Sequence, residues 1–83
     1  MLVSVRLFAR LREIAGQADL SLEVPDGYDA KALWNALAHE YAELAPYGAS
    51  ISCAVNEEYA KLTTPLKDGD EVAFMPPVSG GGR

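Results

Sequence analysis

The sequence predicts an α+β domain in which one main helix packs against a mixed sheet of four or five strands. Short segments of alternating apolar and polar residues predict the strands, and a single longer segment with helical spacing predicts the helix. The length agrees with this class, because 83 residues suffice for one small domain with a thin core.

The first half of the chain contains two alternating segments with a short helical segment between them. Residues 2–8 alternate between apolar and polar side chains, which predicts a strand with one buried face. From Ala9 the spacing becomes helical, and Gly16 can end this short helix in a left-handed conformation. Residues 20–24 alternate again and predict a second strand that stops at the turn of residues 25–27.

The main helix is predicted to begin after Asp29, whose carboxylate can cap the first turn. Apolar side chains then recur at helical spacing over about four turns and form one apolar stripe, which is expected to be buried against the sheet. Pro46 and Gly48 are expected to close the helix. The stripe consists of Ala30, Leu33, Trp34, Leu37, Tyr41 and Leu44.

The second half of the chain completes the predicted sheet. Residues 51–55 alternate and predict a third strand, and residues 59–62 predict a short edge strand. Gly69 supplies the positive φ that a tight turn needs just before the last predicted strand, residues 71–75. If the first and last strands lie side by side at the centre of the sheet, the architecture is the ubiquitin-like β-grasp.

Composition limits the possible partners and sites. The net charge of −5 argues against nucleic acid or an anionic membrane surface as the main partner, whereas a basic protein patch would suit it. The single cysteine, Cys53, excludes a disulfide framework and a cysteine-cluster metal site, and it is expected to be a small buried hydrophobe. No metal site, signal peptide or membrane span is expected, and the expected compartment is the cytoplasm.

Residues 76–83 differ in composition from the rest of the chain. Pro76 and Pro77 cannot donate to a sheet ladder, so the folded domain is predicted to span residues 1–75 and to continue as an extended tail. Three consecutive glycines, starting at Gly80, have no side chains to pack and suit insertion into a narrow channel of another protein. The alternative is a glycine-rich terminus without a function.

Three segments carry a resemblance to a known family. The first runs from Leu7-Phe8-Ala9 to Gly16, and the second is Ala54-Val55-Asn56. The most specific is residues 66–81, where Asp-Gly-Asp-Glu-Val is followed at a fixed distance by Pro-Pro-Val-Ser-Gly-Gly. In these segments the chain resembles the small, sulfur-carrying subunit of molybdopterin synthase, the MoaD family, with thiamine-type carriers and ubiquitin-like modifiers more distant. The resemblance favours the β-grasp and a functional tail.

The resemblance implies a carrier subunit without catalytic groups of its own. In that family an adenylating activating enzyme uses ATP to join AMP to the terminal glycine carboxylate, and a sulfur donor system converts the adenylate to a thiocarboxylate. The loaded carrier docks on the large subunit of molybdopterin synthase and gives its sulfur to a pterin precursor of the molybdenum cofactor. The chain itself is therefore expected to bind no cofactor.

The resemblance also assigns the reactive terminus. By spacing from the two prolines, Gly81 matches the family's terminal glycine, and Gly82 takes that place if Arg83 alone is lost. Poor loading of the terminus with AMP and sulfur (charging) is expected while Arg83 is present, because Arg83 puts a bulky cation beyond the matching glycine. Trimming by a protease, or a fusion boundary, would explain why this sequence continues past the family's terminal glycine. The remaining tail residues that match the family are Pro76, Pro77, Val78, Ser79 and Gly80.

Phe8, Tyr59 and Met75 match the apolar patch with which the family docks on its partners. Aromatic residues and methionine are enriched at the centres of protein interfaces. The alternative for each residue is packing in the core. The sequence does not decide between interface and core for Phe8 and Tyr59, whereas Met75 is expected at the interface.

Three further functions stay open on the sequence. A ubiquitin-like modifier would join the same terminal carboxylate to a lysine through an isopeptide bond, and a thiamine-type carrier would pass sulfur to another acceptor. A non-covalent β-grasp interaction module would bind partners through its folded domain and have an inert tail. Retention of Arg83 would favour this module.

Overall fold

The computed structural model describes residues 1–77, and these residues confirm the predicted order of elements. The predictions for Val78, Ser79, Gly80, Gly81, Gly82 and Arg83 lie outside the described residues. The elements are β1 (Leu2–Leu7), α1 (Ala9–Ala15), β2 (Asp19–Glu23), α2 (Ala30–Glu40), a 3₁₀ helix (Ala42–Tyr47), β3 (Ser52–Val55), β4 (Glu58–Ala60) and β5 (Glu71–Met75).

The strands of residues 1–77 form one mixed sheet in the order β2-β1-β5-β3-β4. The first and last strands are parallel neighbours at its centre, with Val5 opposite Val72 and Leu7 opposite Phe74. The other neighbours, β1 with β2, β3 with β4 and β3 with β5, are antiparallel. This order confirms the predicted ubiquitin-like β-grasp.

One face of the sheet is buried against α2. Alternate residues of the two central strands point to this face, and each is at most 1% exposed. The indole ring of Trp34, on α2, meets the ring of Phe74 edge to face, with their centroids 5.1 Å apart. The sheet contributes Val3, Val5, Leu7, Cys53, Val72 and Phe74 to the core, and α2 contributes Ala30, Leu33, Trp34 and Leu37.

The predicted helix caps and the burial of the cysteine are confirmed. Gly16 ends α1 with φ +77°, and its N–H donates to the carbonyl of Arg12 at 2.9 Å. The N–H of Ala32 donates to the Asp29 carboxylate at 2.8 Å, which caps α2. Cys53 is 1% exposed, and burial raises the pKa of its thiol, so it behaves as a packing residue.

The predicted length of the main helix is wrong. α2 ends at Glu40, and Tyr41 leaves the helical conformation with φ −121° and ψ 88°. The 3₁₀ helix that follows contains Pro46, which lacks the N–H needed for an α-helical bond and disfavours the α conformation of the preceding residue. The tighter 3₁₀ turn still buries Leu44, which the apolar stripe included.

Candidate functional site

The second face of the sheet carries no helix within residues 1–77 and displays the alternate residues of the same strands. Arg6 is paired with Ala73 across β1 and β5, and Ala73 is paired with Ala54 across β5 and β3. Ala54 is in turn paired with Tyr59 on the edge strand β4. These four residues therefore form one row across the sheet, with two small side chains in the middle and a large one at each end.

The two alanines of this row form the floor of a depression of about 240 Å³. The depression, which we call the hollow, is open to solvent along the sheet surface. Phe8 and Met75 lie at the end of the hollow near the last residue of β5, Tyr59 lies on the side of the edge strand β4, and Glu71 is the first residue of β5. The lining consists of Arg6, Phe8, Ala54, Glu57, Tyr59, Glu71, Ala73 and Met75.

All three apolar residues predicted for a docking patch line the hollow. Phe8 is 41% exposed and Tyr59 is 82% exposed, so the alternative of core packing is wrong for both. Met75 is partly buried and is the last residue of β5. Exposed large apolar side chains on one continuous surface are typical of protein interaction sites. That these three residues bind a partner stays a prediction.

Five residues of the hollow were not predicted as part of a site: Arg6, Ala54, Glu57, Glu71 and Ala73. A signal for three of them was present, because Arg6, Ala54 and Ala73 each lie between two apolar residues of an alternating strand and must point to the other face. The alternation does not tell which strands are neighbours, so the sequence did not bring these residues together with Tyr59.

The rim of the hollow has more negative than positive groups. Arg6 Nε donates to Asp19 Oδ1 at 2.9 Å, and Arg6 Nη2 lies 3.7 Å from Glu71 Oε2. The hydrogen bond to Asp19 and then the charges of Asp19, Glu71 and Glu57 raise the pKa of Arg6. Among residues 1–77, Glu57 has no ion-pair partner within 4.0 Å. A partner with basic groups around an apolar centre is therefore complementary to this surface.

The turn that carries Glu57 has an unusual backbone. Asn56 and Glu57 connect β3 to β4 with φ +52° and +73°, and Val55 is paired with Glu58, so the hairpin has a two-residue loop. Two positive φ values in such a loop indicate a type I′ turn, which favours asparagine first and glycine second. Glu57 therefore occupies a position where glycine is favoured.

We expect Glu57→Gly to stabilise the domain by roughly 0.5–1 kcal/mol, because glycine adopts positive φ without the clash of a Cβ atom. Thermal unfolding should show a midpoint higher by a few degrees. The matched control is Glu58→Gly, which removes a side chain from strand β4 and should lower the midpoint. A lower midpoint for Glu57→Gly would contradict the expectation.

Two negative findings apply to the described part of the chain. No helix of residues 1–77 has the length and apolar character to cross a membrane. In the same residues, no three His, Cys, Asp or Glu side chains lie close enough together to hold a metal ion.

The sequence is similar to known proteins along nearly its whole length. The sequence profile of the ThiS family matches residues 5–81. A molybdopterin synthase sulfur carrier subunit of Mycobacterium tuberculosis is 39% identical over 80 residues, which are 95% of this chain and 96% of that protein.

Solved structures agree with the fold. SAMP1 from Haloferax volcanii has a TM-score of 0.84 at 30% identity and covers 98% of this chain and 100% of its own. A chain from the complex of subunits 1 and 2 of the molybdopterin-converting factor from Helicobacter pylori has a TM-score of 0.67 at 32% identity, over 98% of this chain and 100% of that one.

Proposed function

The chain belongs to the ThiS family, and on this premise we propose that it is the sulfur carrier subunit of molybdopterin synthase. Relatives with that name are similar along nearly the whole chain, including one at 39% identity. The structural observation that carries the proposal is that the hollow extends along β5 to its last residue, Met75, because Pro76 and the tail follow directly from Met75. A partner that docks on the hollow is therefore next to the start of the tail.

The reactive group in this proposal is the terminal carboxylate of Gly81. A carboxylate resists attack by sulfur, because its leaving group would be an oxide. Attack of one carboxylate oxygen on the α-phosphate of ATP releases pyrophosphate and gives an acyl adenylate, whose leaving group is AMP. A persulfide of the sulfur donor system then attacks the carbonyl carbon with its outer sulfur, and AMP departs. A second thiol of that system attacks the inner sulfur of the resulting acyl persulfide, so that a disulfide forms on the donor side and the thiocarboxylate is released. The activating enzyme holds the ATP, and glycine leaves the carbonyl open because it has no Cβ atom.

The hollow is the proposed contact surface for the large subunit of molybdopterin synthase. The Helicobacter pylori relative is a protein–protein complex of subunits 1 and 2 of the molybdopterin-converting factor. An apolar centre of Phe8, Tyr59 and Met75 with charged residues around it has the anatomy of a protein interface. The activating enzyme must reach the same terminus, so we assign it the same face in a separate complex. A cytoplasmic location belongs to this proposal, since activation consumes ATP.

The intact mass of the protein recovered from its native host tests this function. We expect a chain that ends at Gly81 or Gly82, with sulfur in place of one terminal oxygen in some or all molecules. Arg83 present in every molecule, without sulfur, would overturn the proposal and favour a non-covalent interaction module.

A protein modifier is the second candidate, because structures named as small archaeal modifier protein 1 are among the similar folds, one of them at 33% identity with a TM-score of 0.80. A modifier would transfer the same activated terminus to the amino group of a lysine. Immunoblots of the host under denaturing conditions distinguish the two functions. A ladder of larger conjugates that disappears when residues 80–83 are removed would favour the modifier.

A further inference from the structure

Two of the segments that carried the family resemblance meet in the folded chain. The turn that begins at Asn56 lies against Asp70 and Glu71, where β5 begins. The contact is close, since the backbone N–H of Asn56 donates to the carbonyl of Glu71 at 2.8 Å. This contact lies next to the hollow, because Glu57 and Glu71 both line it.

The side chain of Asn56 makes two further hydrogen bonds to the same segment. Its Oδ1 accepts from the N–H of Glu71 at 3.0 Å, and its Nδ2 donates to Asp70 Oδ1 at 2.9 Å. The second oxygen of Asp70 accepts from the N–H of Lys67 at 2.8 Å. A carboxylate only accepts and a backbone N–H only donates, so an amide is needed at position 56 to satisfy both.

These bonds hold a turn with one unfavourable backbone conformation. The positive φ of Asn56 is one that asparagine adopts readily, whereas the positive φ of Glu57 is unfavourable for its residue type and persists only where the surrounding structure fixes it. The amide of Asn56 attaches the end of the hairpin to the beginning of β5, a central strand of the sheet. We call the three hydrogen bonds between Asn56 and residues 70–71 the clamp.

The clamp lies where it can set the shape of the hollow. β4 is an edge strand whose neighbour in the sheet of residues 1–77 is β3 alone, and it carries Tyr59. Glu57 and Tyr59 form one wall of the hollow, while Phe8 and Met75 belong to the central part of the sheet. The position of this wall therefore depends on how the hairpin is attached to β5.

We propose that Asn56 and Asp70 are positioning residues that hold Glu57 and Tyr59 in the place required for docking of the large subunit. This inference rests on the proposed function, since that subunit is the partner. The positioning role explains why the amide of Asn56 and the carboxylate of Asp70 face each other outside the hollow. Neither residue lines the hollow, so an effect of their replacement on binding is transmitted through the hairpin.

The test uses the full chain and the purified large subunit of molybdopterin synthase from the same source. Asn56→Asp puts two carboxylates face to face and is expected to raise the dissociation constant about tenfold. The second variant, Asp70→Asn, removes the charge and is expected to have a smaller effect of the same sign. The double variant exchanges the amide and the carboxylate, so the bonds to Lys67 and Glu71 and the bond between the two side chains all re-form. Affinity should therefore return to within about twofold of the unchanged chain.

A matched variant separates positioning from loss of stability. Leu37→Val removes a methylene group from a side chain of α2 that is 1% exposed, in the core on the helical side of the sheet and away from the hollow. It should lower the unfolding midpoint and leave the affinity unchanged at a temperature where all variants are folded. Equal affinity of Asn56→Asp and the unchanged chain, or failure of the double variant to recover, would overturn the clamp inference alone. Absence of binding by the unchanged chain would overturn the proposed function and this inference with it.

Discussion

Deletion of Gly80 from a chain that ends at Gly81 is expected to abolish charging with sulfur while the domain remains folded. The deletion shortens the tail by roughly 3.5 Å, the distance that one extended residue spans. Acyl transfer requires the reacting atoms to approach within about 3–3.5 Å in the correct orientation, so a shift of this size moves the carboxylate away from the bound nucleotide. The measurement is transfer of AMP from ATP to the chain by the activating enzyme, followed by the intact mass of the product.

Ser79→Ala is the control for this deletion, because it changes a tail side chain and leaves the length unchanged. It should be charged at a rate close to that of the parent chain ending at Gly81. Both variants should have the unfolding midpoint of the parent, since the last core residue of β5, Phe74, precedes the tail. Normal charging of the chain without Gly80 would show that no partner measures the tail length, and the expectation would then be wrong.

Replacement of Tyr59 by alanine is expected to weaken binding of the large subunit by about 30-fold or more, the range of aromatic residues at the centre of an interface. Tyr59 is 82% exposed, so the folded chain loses few contacts and the effect falls on the complex. The unfolding midpoint should change little. Titration calorimetry with the purified large subunit measures the effect.

Leu2→Ala is the matched control for Tyr59→Ala. Leu2 is 50% exposed and also large and apolar, but it does not line the hollow. Its replacement should leave the affinity unchanged. Equal losses for the two variants would mean that general surface hydrophobicity, and not the hollow, determines binding.

The fold could be predicted from the sequence because local patterns specify its strands, helices and helix caps. Alternation predicted each strand to within about two residues at either end, and the capping residues Gly16 and Asp29 were recognisable from their chemistry. The one large error concerned the end of the main helix. Tyr41 and Leu44 continue the apolar stripe, but 3₁₀ and α turns both bring residues three apart to the same side, so the stripe did not distinguish them.

Only part of the candidate site could be predicted from the sequence. The family resemblance predicted Phe8, Tyr59 and Met75, and their exposure agrees with a role in docking. The alanine floor and the clamp were not predicted. Ala54 and Ala73 have no chemistry that marks a site, and the bond between Asn56 and Asp70 joins residues from two separate segments of the chain.

The sequence by itself determined which residues share a face of each strand, where the turns and helix caps lie, and which terminus matches a sulfur carrier. These properties depend on side-chain period, backbone preference and residues close together in the chain. The tertiary structure decided that β1, β5, β3 and β4 are neighbours in that order, and so created the hollow and the clamp. Strand neighbours and register depend on backbone pairing of all five strands and on burial of the three inner ones, β1, β5 and β3, against the helix, a global requirement that no single segment encodes.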